Sequence, residues 1–365
     1  MRLGLEPASF DDVPGWWEDD VAQAVPALLR CAVHLASGSK PYNVGSLGIT
    51  PDDFADAFRA LAAACPIDDR SARQFFCDHF QPARSAADTP SGFVTGYYEP
   101  EIEVADRKGG AFLYPFYRRP DDLASLDAQG DETGLASRGF AFAMKTDSGF
   151  AEYFDREAID RGCLEGKGWE LAWARDRIDV FFAHIQGSAR LIHRDGRVQR
   201  IAYAAKTGHP FTAIGRVLID QGELDGGTVT MQAIRDWLAN HPERQDEILW
   251  RNRSYIFFRP TKGEGPIGAA KVPLSPGRSL AVDRHIHTFG MPVFVDAPRL
   301  THVGNDRAFQ RLLIAQDTGS AIIGPSRGDI FIGSGRDAGD IAGAIKHSAD
   351  FYLLLPKRAA ARCLP

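Results

Sequence analysis

From Ser254 to Pro356 the chain is cut into short runs of strand length: "SYIFFRP", "AVDRHI", "MPVFVD", "RAFQRLLIAQD", "DIFIG" and "DFYLLLP". They are rich in β-branched and aromatic residues, and glycine, proline and aspartate punctuate the gaps between them. Runs of this kind bury their apolar faces by pairing, so the C-terminal third is expected to form an all-β barrel. The 36 glycines and 22 prolines among 365 residues exceed the usual shares of about 7% and 5%, which suits many tight turns.

The first eighty residues differ in texture. Apolar residues recur at helical spacing from Val21 to Ser37, from Pro51 to Cys65 and through "DDRSARQFFCDHFQP", and "TPDDF" supplies a threonine cap with proline at the first helical position. At "SGFVTGYYEPEIEVA" a strand region begins. The segment from Glu170 to Lys206 is expected to hold two or three strands, with "HRDGR" turning a hairpin between Leu191-Ile192 and Val198 to Ile201. Helices return in "FTAIGRVLIDQG" and in the stretch after Thr230, with Gly222 and Thr230 as caps. The proline and glycine-rich "RPTKGEGPIGAAKVPLSPGRS" marks a boundary near Lys262.

Length favours two domains. A net charge of -6 and the lack of any Lys/Arg-rich run leave no footprint for nucleic acid. The opening "MRLGLEPASFDDVPGWWEDD" holds no apolar export segment, and no later run reaches the length of a spanning helix. Five cysteines, Cys31, Cys65, Cys77, Cys163 and Cys363, show no metal spacing. They read as free or buried thiols, with one disulfide among Cys31, Cys65 and Cys77 open in an oxidising compartment.

Candidate chemistry gathers on aspartates. Asp317 precedes Thr-Gly-Ser, where an Asx-type turn explains a carboxylate; Asp329 stands where a loop enters the strand "IFIG", a position that can face a groove or cap the loop. Spacing ranks neither above the other. Asp283 lies beside His285 and His287, and an H-x-H pair on a strand would point both rings to one face, yet no third ligand stands at a zinc spacing. Tyr97 and Tyr98 in "GYYEP" point to opposite sides of a strand, one toward ligand and one toward core. Gln186 and Ser188 in "HIQGSAR" are expected on one side of a strand around a permissive glycine. The glycines of "IGSGRDAG" lack a Walker lysine and a βαβ setting, so no nucleotide site or other cofactor is expected.

Taken in order, "PGWWEDD", "FVTGYYEP", "YPFYRRP", "FFAHIQGSARL", "YAAKTGHPFTAIGRVLIDQGEL", "TMQAIRDWL", "SYIFFRP", "AVDRHIHTFGMPVFVD" and "AQDTGSAIIGPSRGDIFIGSGRDAG" resemble the membrane-bound lytic murein transglycosylase A family, over about residues 14 to 339. The resemblance implies a mainly β fold with helical segments. A double-psi β-barrel domain would comprise residues 1-98 and 263-365, and a smaller β domain, residues 99-262, would be inserted in it, with a substrate groove between.

It implies a polysaccharide lyase, an exotransglycosylase that cuts the β-1,4 bond between N-acetylmuramic acid and N-acetylglucosamine without water and leaves 1,6-anhydromuramoyl ends. Asp329 matches the catalytic position, acid and then base, with Asp317 and Asp283 as supporting acids. Thr95, Tyr97, Tyr98, Gln186, Ser188 and Ser334 fall at substrate-binding positions. The expected partner is the peptidoglycan glycan strand, with cell-wall synthesis or hydrolysis complexes beyond it; the chain is expected to be a monomer in the periplasm or at the outer membrane. The chain departs from the family at Ser320 and Ile323, and Ser326 and Arg327 stand as extra candidates just before Asp329. A hydrolytic glycosidase using Asp317 as second carboxylate, and a silent murein-binding protein, are the competing readings.

Overall fold

The computed structural model describes residues 4–63, 68–86, 92–126, 133–227, 229–263, 265–303 and 306–364. The chain divides into two compact units, one of residues 1–98, 263–333 and 337–365, the other of residues 99–262 and 334–336.

In the first unit, strands β1 (Gly4–Pro7), β2 (Phe80–Ala86), β3 (Phe93–Glu99), β4 (Ser279–Val282), β5 (Pro292–Ala297), β6 (Phe309–Asp317), β7 (Arg327–Ser334), β8 (Lys346–Ser348) and β9 (Asp350–Pro356) share one sheet. Its order is β1-β2-β9-β5-β6-β4-β7-β3-β8. Most neighbours run antiparallel, while β4 and β6 are parallel. The expected barrel is therefore present, and its strands fall on the short runs named above. "AVDRHI" is the exception: the strand stops at Val282, because the Asp283 carboxylate takes the His285 amide at 2.9 Å and turns the chain. His285 and His287 thus leave the strand; His285 is exposed and His287 buried, so the two rings do not share a face.

Helices α1 (Val25–Ala36), α2 (Ala55–Ala63) and α3 (Asp69–His79) pack their apolar faces onto this sheet, in a core that holds Leu28, Leu61 and Phe76 together with Phe294, Leu313 and Leu353. The Thr50 cap is part of a reciprocal box with Asp53. A fourth helix, α4 (Arg336–Gly343), follows β7. Cys31, Cys77, Cys163 and Cys363 are free thiols, and Cys65 lies outside the described residues.

The second unit is built on a six-stranded sheet, with Glu101–Ala105, Tyr114–Tyr117, Glu170–Ala174, Ser188–His193, Val198–Lys206 and Ile256–Thr261 as its strands. The expected hairpin joins Ile192 to Val198 in register. Between Glu170–Ala174 and Ser188–His193 the chain forms a helix, Arg177–Gln186, where only strands were expected. Its apolar content, "RIDVFFAHIQ", suits a strand by type, but Asp176 caps the Ile178 amide at 2.8 Å and Gly187 ends the helix at φ +73. Gln186 is consequently the last residue of a helix and Ser188 the first of a strand, so the two do not share one strand face.

Candidate active site

Period-two alternation divides three neighbouring strands of the first unit, β3, β7 and β4, into two faces. Val94, Leu280, Val282 and Ile330 enter the main core. The residues between them, Tyr97, Ala281 and Phe331, gather on the other face with Leu274 and Ile322. Thr95 and Asp329 fall on this second face by the same alternation. In the register of the sheet Ala281 of β4 pairs with Asp329 of β7 on one side and with Asp317 of β6 on the other. The two carboxylates therefore stand level, one strand to each side of Ala281, with backbones roughly 10 Å apart. Tyr97 of β3 nevertheless reaches Asp317 across β7 and β4, which requires this face to be concave.

The two aspartates have unlike surroundings. Asp317 is held by three donors: the amides of Ala269 and Thr318 reach Oδ1 at 3.0 and 2.9 Å, and the Tyr97 hydroxyl donates to Oδ2 at 3.0 Å. Burial raises its pKa above the usual carboxylate value and those bonds oppose the rise. Asp329 receives one bond, from the Thr95 hydroxyl to Oδ1 at 2.7 Å, and its Oδ2 has no hydrogen-bond partner among the described residues. Burial lifts Asp329 to about 6; the Thr95 bond and the Arg327 charge lower it, and the Asp317 charge adds to the rise. Tyr97, desolvated and facing both carboxylates, is pushed well above its ordinary value and stays a neutral donor.

Asp283 does not join them. Its Oδ1 takes the His285 amide and its Oδ2 the Gly324 amide, both at 2.9 Å, so it pins the loop that leads into β7. His287 supports the same loop: its Nε2 donates to the Pro325 carbonyl at 2.9 Å, and burial lowers its pKa to about 4, which keeps the ring neutral. Among the described residues no group of His, Cys, Asp and Glu forms a metal-binding cluster.

The remaining sequence candidates fall in both units. Tyr98 turns away from Tyr97, and a side-chain carbon at Gly339 of α4 would lie 2.8 Å from its ring. Gln186, Ser188 and Ser334 belong to the second unit. There the Ser334 hydroxyl donates to Glu99 Oε2 at 2.6 Å, and the Arg200 Nε bonds both oxygens of that fully buried carboxylate. Ser320 and Ile323 are exposed on the loop between β6 and β7, whereas the buried Ser326 hydroxyl bonds Ser85 at 2.9 Å.

Two contacts could not be read from the sequence, although Arg327 itself stood among its extra candidates. The Ala269 amide comes from the glycine-rich stretch read as a separator, where Gly268 is required because a Cβ would lie 2.5 Å from the Gln316 carbonyl. Arg327 reaches the Thr95 hydroxyl at 2.7 Å. A recess of about 660 Å³ elsewhere in this unit is lined by Asp19, Arg278 and Arg311 and includes neither aspartate; it overlies a buried ion pair that fastens the N-terminal segment to the sheet.

Comparison with known proteins agrees with this architecture. The MltA specific insert domain matches residues 93–259 and the 3D domain matches residues 278–355. Membrane-bound lytic murein transglycosylase A of Escherichia coli K12 is 33% identical over 291 residues, 79% of this chain and 72% of that relative. The crystal structure of a membrane-bound lytic murein transglycosylase from Agrobacterium tumefaciens is 49% identical, with a TM-score of 0.94 over 99% of both chains. MltA from Neisseria gonorrhoeae superposes with a TM-score of 0.77 at 33% identity, over 96% of this chain and 92% of that one. Escherichia coli MltA with bound chitohexaose does so with a TM-score of 0.69 at 28% identity, over 98% and 95%. The fold is that of a double-psi β-barrel interrupted by a smaller β unit. With both domain matches and this identity over nearly the full length, the chain belongs to the membrane-bound lytic murein transglycosylase A family.

Proposed function

We propose that the chain is a lytic transglycosylase that cleaves the β-1,4 bond between N-acetylmuramic acid and N-acetylglucosamine of peptidoglycan without water. It leaves 1,6-anhydromuramoyl ends and uses Asp329 as acid and then as base. The asymmetry of the two carboxyls carries this reading. A hydrolase of the common kind needs a second carboxylate free to act as base or nucleophile, and both oxygens of Asp317 are already engaged by Ala269, Thr318 and Tyr97. Asp329 keeps one oxygen open and has a pKa of about 6, which leaves roughly a tenth of it protonated at pH 7.

Asp329 first gives its proton to the glycosidic oxygen as the bond from that oxygen to C1 breaks. The resulting carboxylate then takes the proton of the muramoyl C6 hydroxyl as O6 bonds to C1. One carboxyl thus ends the cycle as it began, and one C–O bond replaces another. The bound chitohexaose of the Escherichia coli relative supports a glycan strand as the ligand. A murein substrate puts the enzyme on the periplasmic side, and among the described residues no helix is long and apolar enough to cross a membrane.

Mass spectrometry of purified sacculi digested in H2(18)O tests the reading. Wild type should release anhydro-muropeptides without the heavy oxygen, and Asp329→Asn should lose that activity by about a thousandfold or more while still sedimenting with sacculi. Reducing ends that carry heavy oxygen would establish a hydrolase, and binding without any turnover by wild type would establish a murein-binding protein.

A further inference from the structure

The nearest charge to Asp329 on its own strand is two residues away and is not a substrate contact in the scheme above. Arg327 Nη1 donates to the Gly328 carbonyl, and Nη2 donates to Thr95 Oγ1 at 2.7 Å. Its guanidinium carbon lies 5.5 Å from the centre of the Phe93 ring, so the head group is seated by two hydrogen bonds and an aromatic face. A threonine hydroxyl has one proton to donate. With Arg327 donating to that oxygen, the Thr95 proton is turned away from the guanidinium and toward Asp329 Oδ1, the 2.7 Å contact already described.

The consequence falls on the carboxyl. An oxygen that accepts the Thr95 proton is the poorer place for the carboxyl's own proton, so the acid proton belongs on Oδ2, the oxygen that has no hydrogen-bond partner among the described residues. We infer that Arg327 is a positioning residue that acts through Thr95 to fix which oxygen of Asp329 carries the catalytic proton. This rests on the reading of Asp329 as the acid and then the base. In each turnover the proton leaves Oδ2 for the glycosidic oxygen and returns to Oδ2 from the C6 hydroxyl; Oδ1 keeps its bond to Thr95 throughout, so nothing has to rotate between the two half-reactions.

The charged and titratable groups facing Asp329 are few. Arg327 comes from β7, Asp317 from β6 and Tyr97 from β3, while β4 offers Ala281. Arg327 is the cation whose charge acts on Asp329 and offsets part of the rise that burial and Asp317 cause, while β8 places Lys346 opposite Thr95 in the sheet register. Its own pKa is lowered by burial, which is what a guanidinium without a carboxylate bonded to it would show.

A double-mutant cycle on anhydro-muropeptide release tests the inference, with Arg327→Met and Thr95→Val singly and together. At pH 5, where Asp329 is protonated in every variant, Arg327→Met should lower kcat about tenfold with KM within about twofold when Thr95 is present. It should lower kcat less than about twofold in the Thr95→Val background, because the route of its action is gone. Equal losses in both backgrounds would overturn the inference. Arg327→Met should also move the alkaline fall of the pH profile upward by about one unit, whereas Arg327→Lys should leave the fall in place and recover part of kcat. A downward move, or none, would overturn it too.

Should Arg327→Met not fold, the same cycle is run with Arg327→Gln, which keeps a donor but not the charge; it should show the upward move with a smaller loss of kcat, and no move would again overturn the inference. The Asp329→Asn enzyme separates the two levels. If that variant still releases anhydro products, the reading of Asp329 has failed; if it is inactive and the cycle shows no coupling, only the role of Arg327 has.

Discussion

Asp329 works against the stability of its own fold. Its folded pKa is about 6, against about 3.9 for an aspartate in an unfolded chain. The folded state therefore binds the proton more tightly. The stabilisation from protonation is complete below about pH 4 and is lost as pH rises through 6; above that the ionised carboxylate costs up to about 3 kcal/mol. Asp329→Asn keeps an oxygen for Thr95 and removes the charge, so thermal melts should place its Tm several degrees above wild type at pH 7.5 and converge with wild type near pH 4. A constant offset across that range would mean that the carboxyl is not desolvated. The same imbalance explains what could be read in advance. An aspartate before a strand and an aspartate before Thr-Gly are both ordinary turn residues, and what separates them is a count of donors. Two of the donors for Asp317, Ala269 and Tyr97, are 48 and 220 positions away. No local pattern carries that information, so only the motif order pointed to Asp329.

At the level of elements, β3 is the strand on which the site depends, because alternate residues on one side, Thr95 and Tyr97, each serve one aspartate. Gly96 between them faces the other way. A Cβ there would lie 2.9 Å from the Ala342 Cα and 2.7 Å from the Ile345 side chain, so β3 sits against the end of α4 as closely as a glycine allows. Gly96→Ala should therefore cost about 1–3 kcal/mol in a urea titration, and the strand's displacement should lower activity more than the stability loss explains. An unchanged midpoint would mean that α4 yields freely. This packing also accounts for the glycines of "IGSGRDAG", which lie beside Tyr98 and at left-handed turns, Gly339 at the ring and Gly335 at φ +88. The strand runs and the "HRDGR" turn were legible because a half-buried sheet writes a period of two into the chain. The helix Arg177–Gln186 was not, since Val180, Phe181, Phe182 and Ile185 have the composition of a strand and only the Asp176 cap and Gly187 betray it. In the same way a single side chain, Asp283, ended β4 earlier than its apolar run implied.

On the scale of the whole molecule the chain closes two sets of cores, and each is fastened by a buried arginine. In the first unit Arg278 forks onto Asp19, with both bonds at 2.8 Å, and Asp19 also takes the Leu312 amide, which ties the N-terminal segment to β6. In the second, Arg156 is buried without a bonded carboxylate. It donates to the carbonyls of Asn252 and Ser254 at 2.9 and 2.6 Å and to His184 Nδ1, and it stacks on Phe181 and Tyr255. Burial, with Arg156 beside it, holds His184 well below its usual pKa, so the ring remains a neutral acceptor. Removing the partner of Arg278, or Arg156 itself, leaves polar groups that water cannot reach. Asp19→Ala strands a buried cation and should cost about 3–5 kcal/mol; Arg156→Met leaves two carbonyls and a ring nitrogen without a donor, at about 1–3 kcal/mol for each unsatisfied group. If the units unfold as separate cooperative bodies, calorimetry will show Asp19→Ala lowering one transition and Arg156→Met the other. Murein release should then follow the melting of the first unit, which holds Asp329, Thr95 and Arg327. A single transition lowered by both substitutions would show instead that the two cores unfold as one.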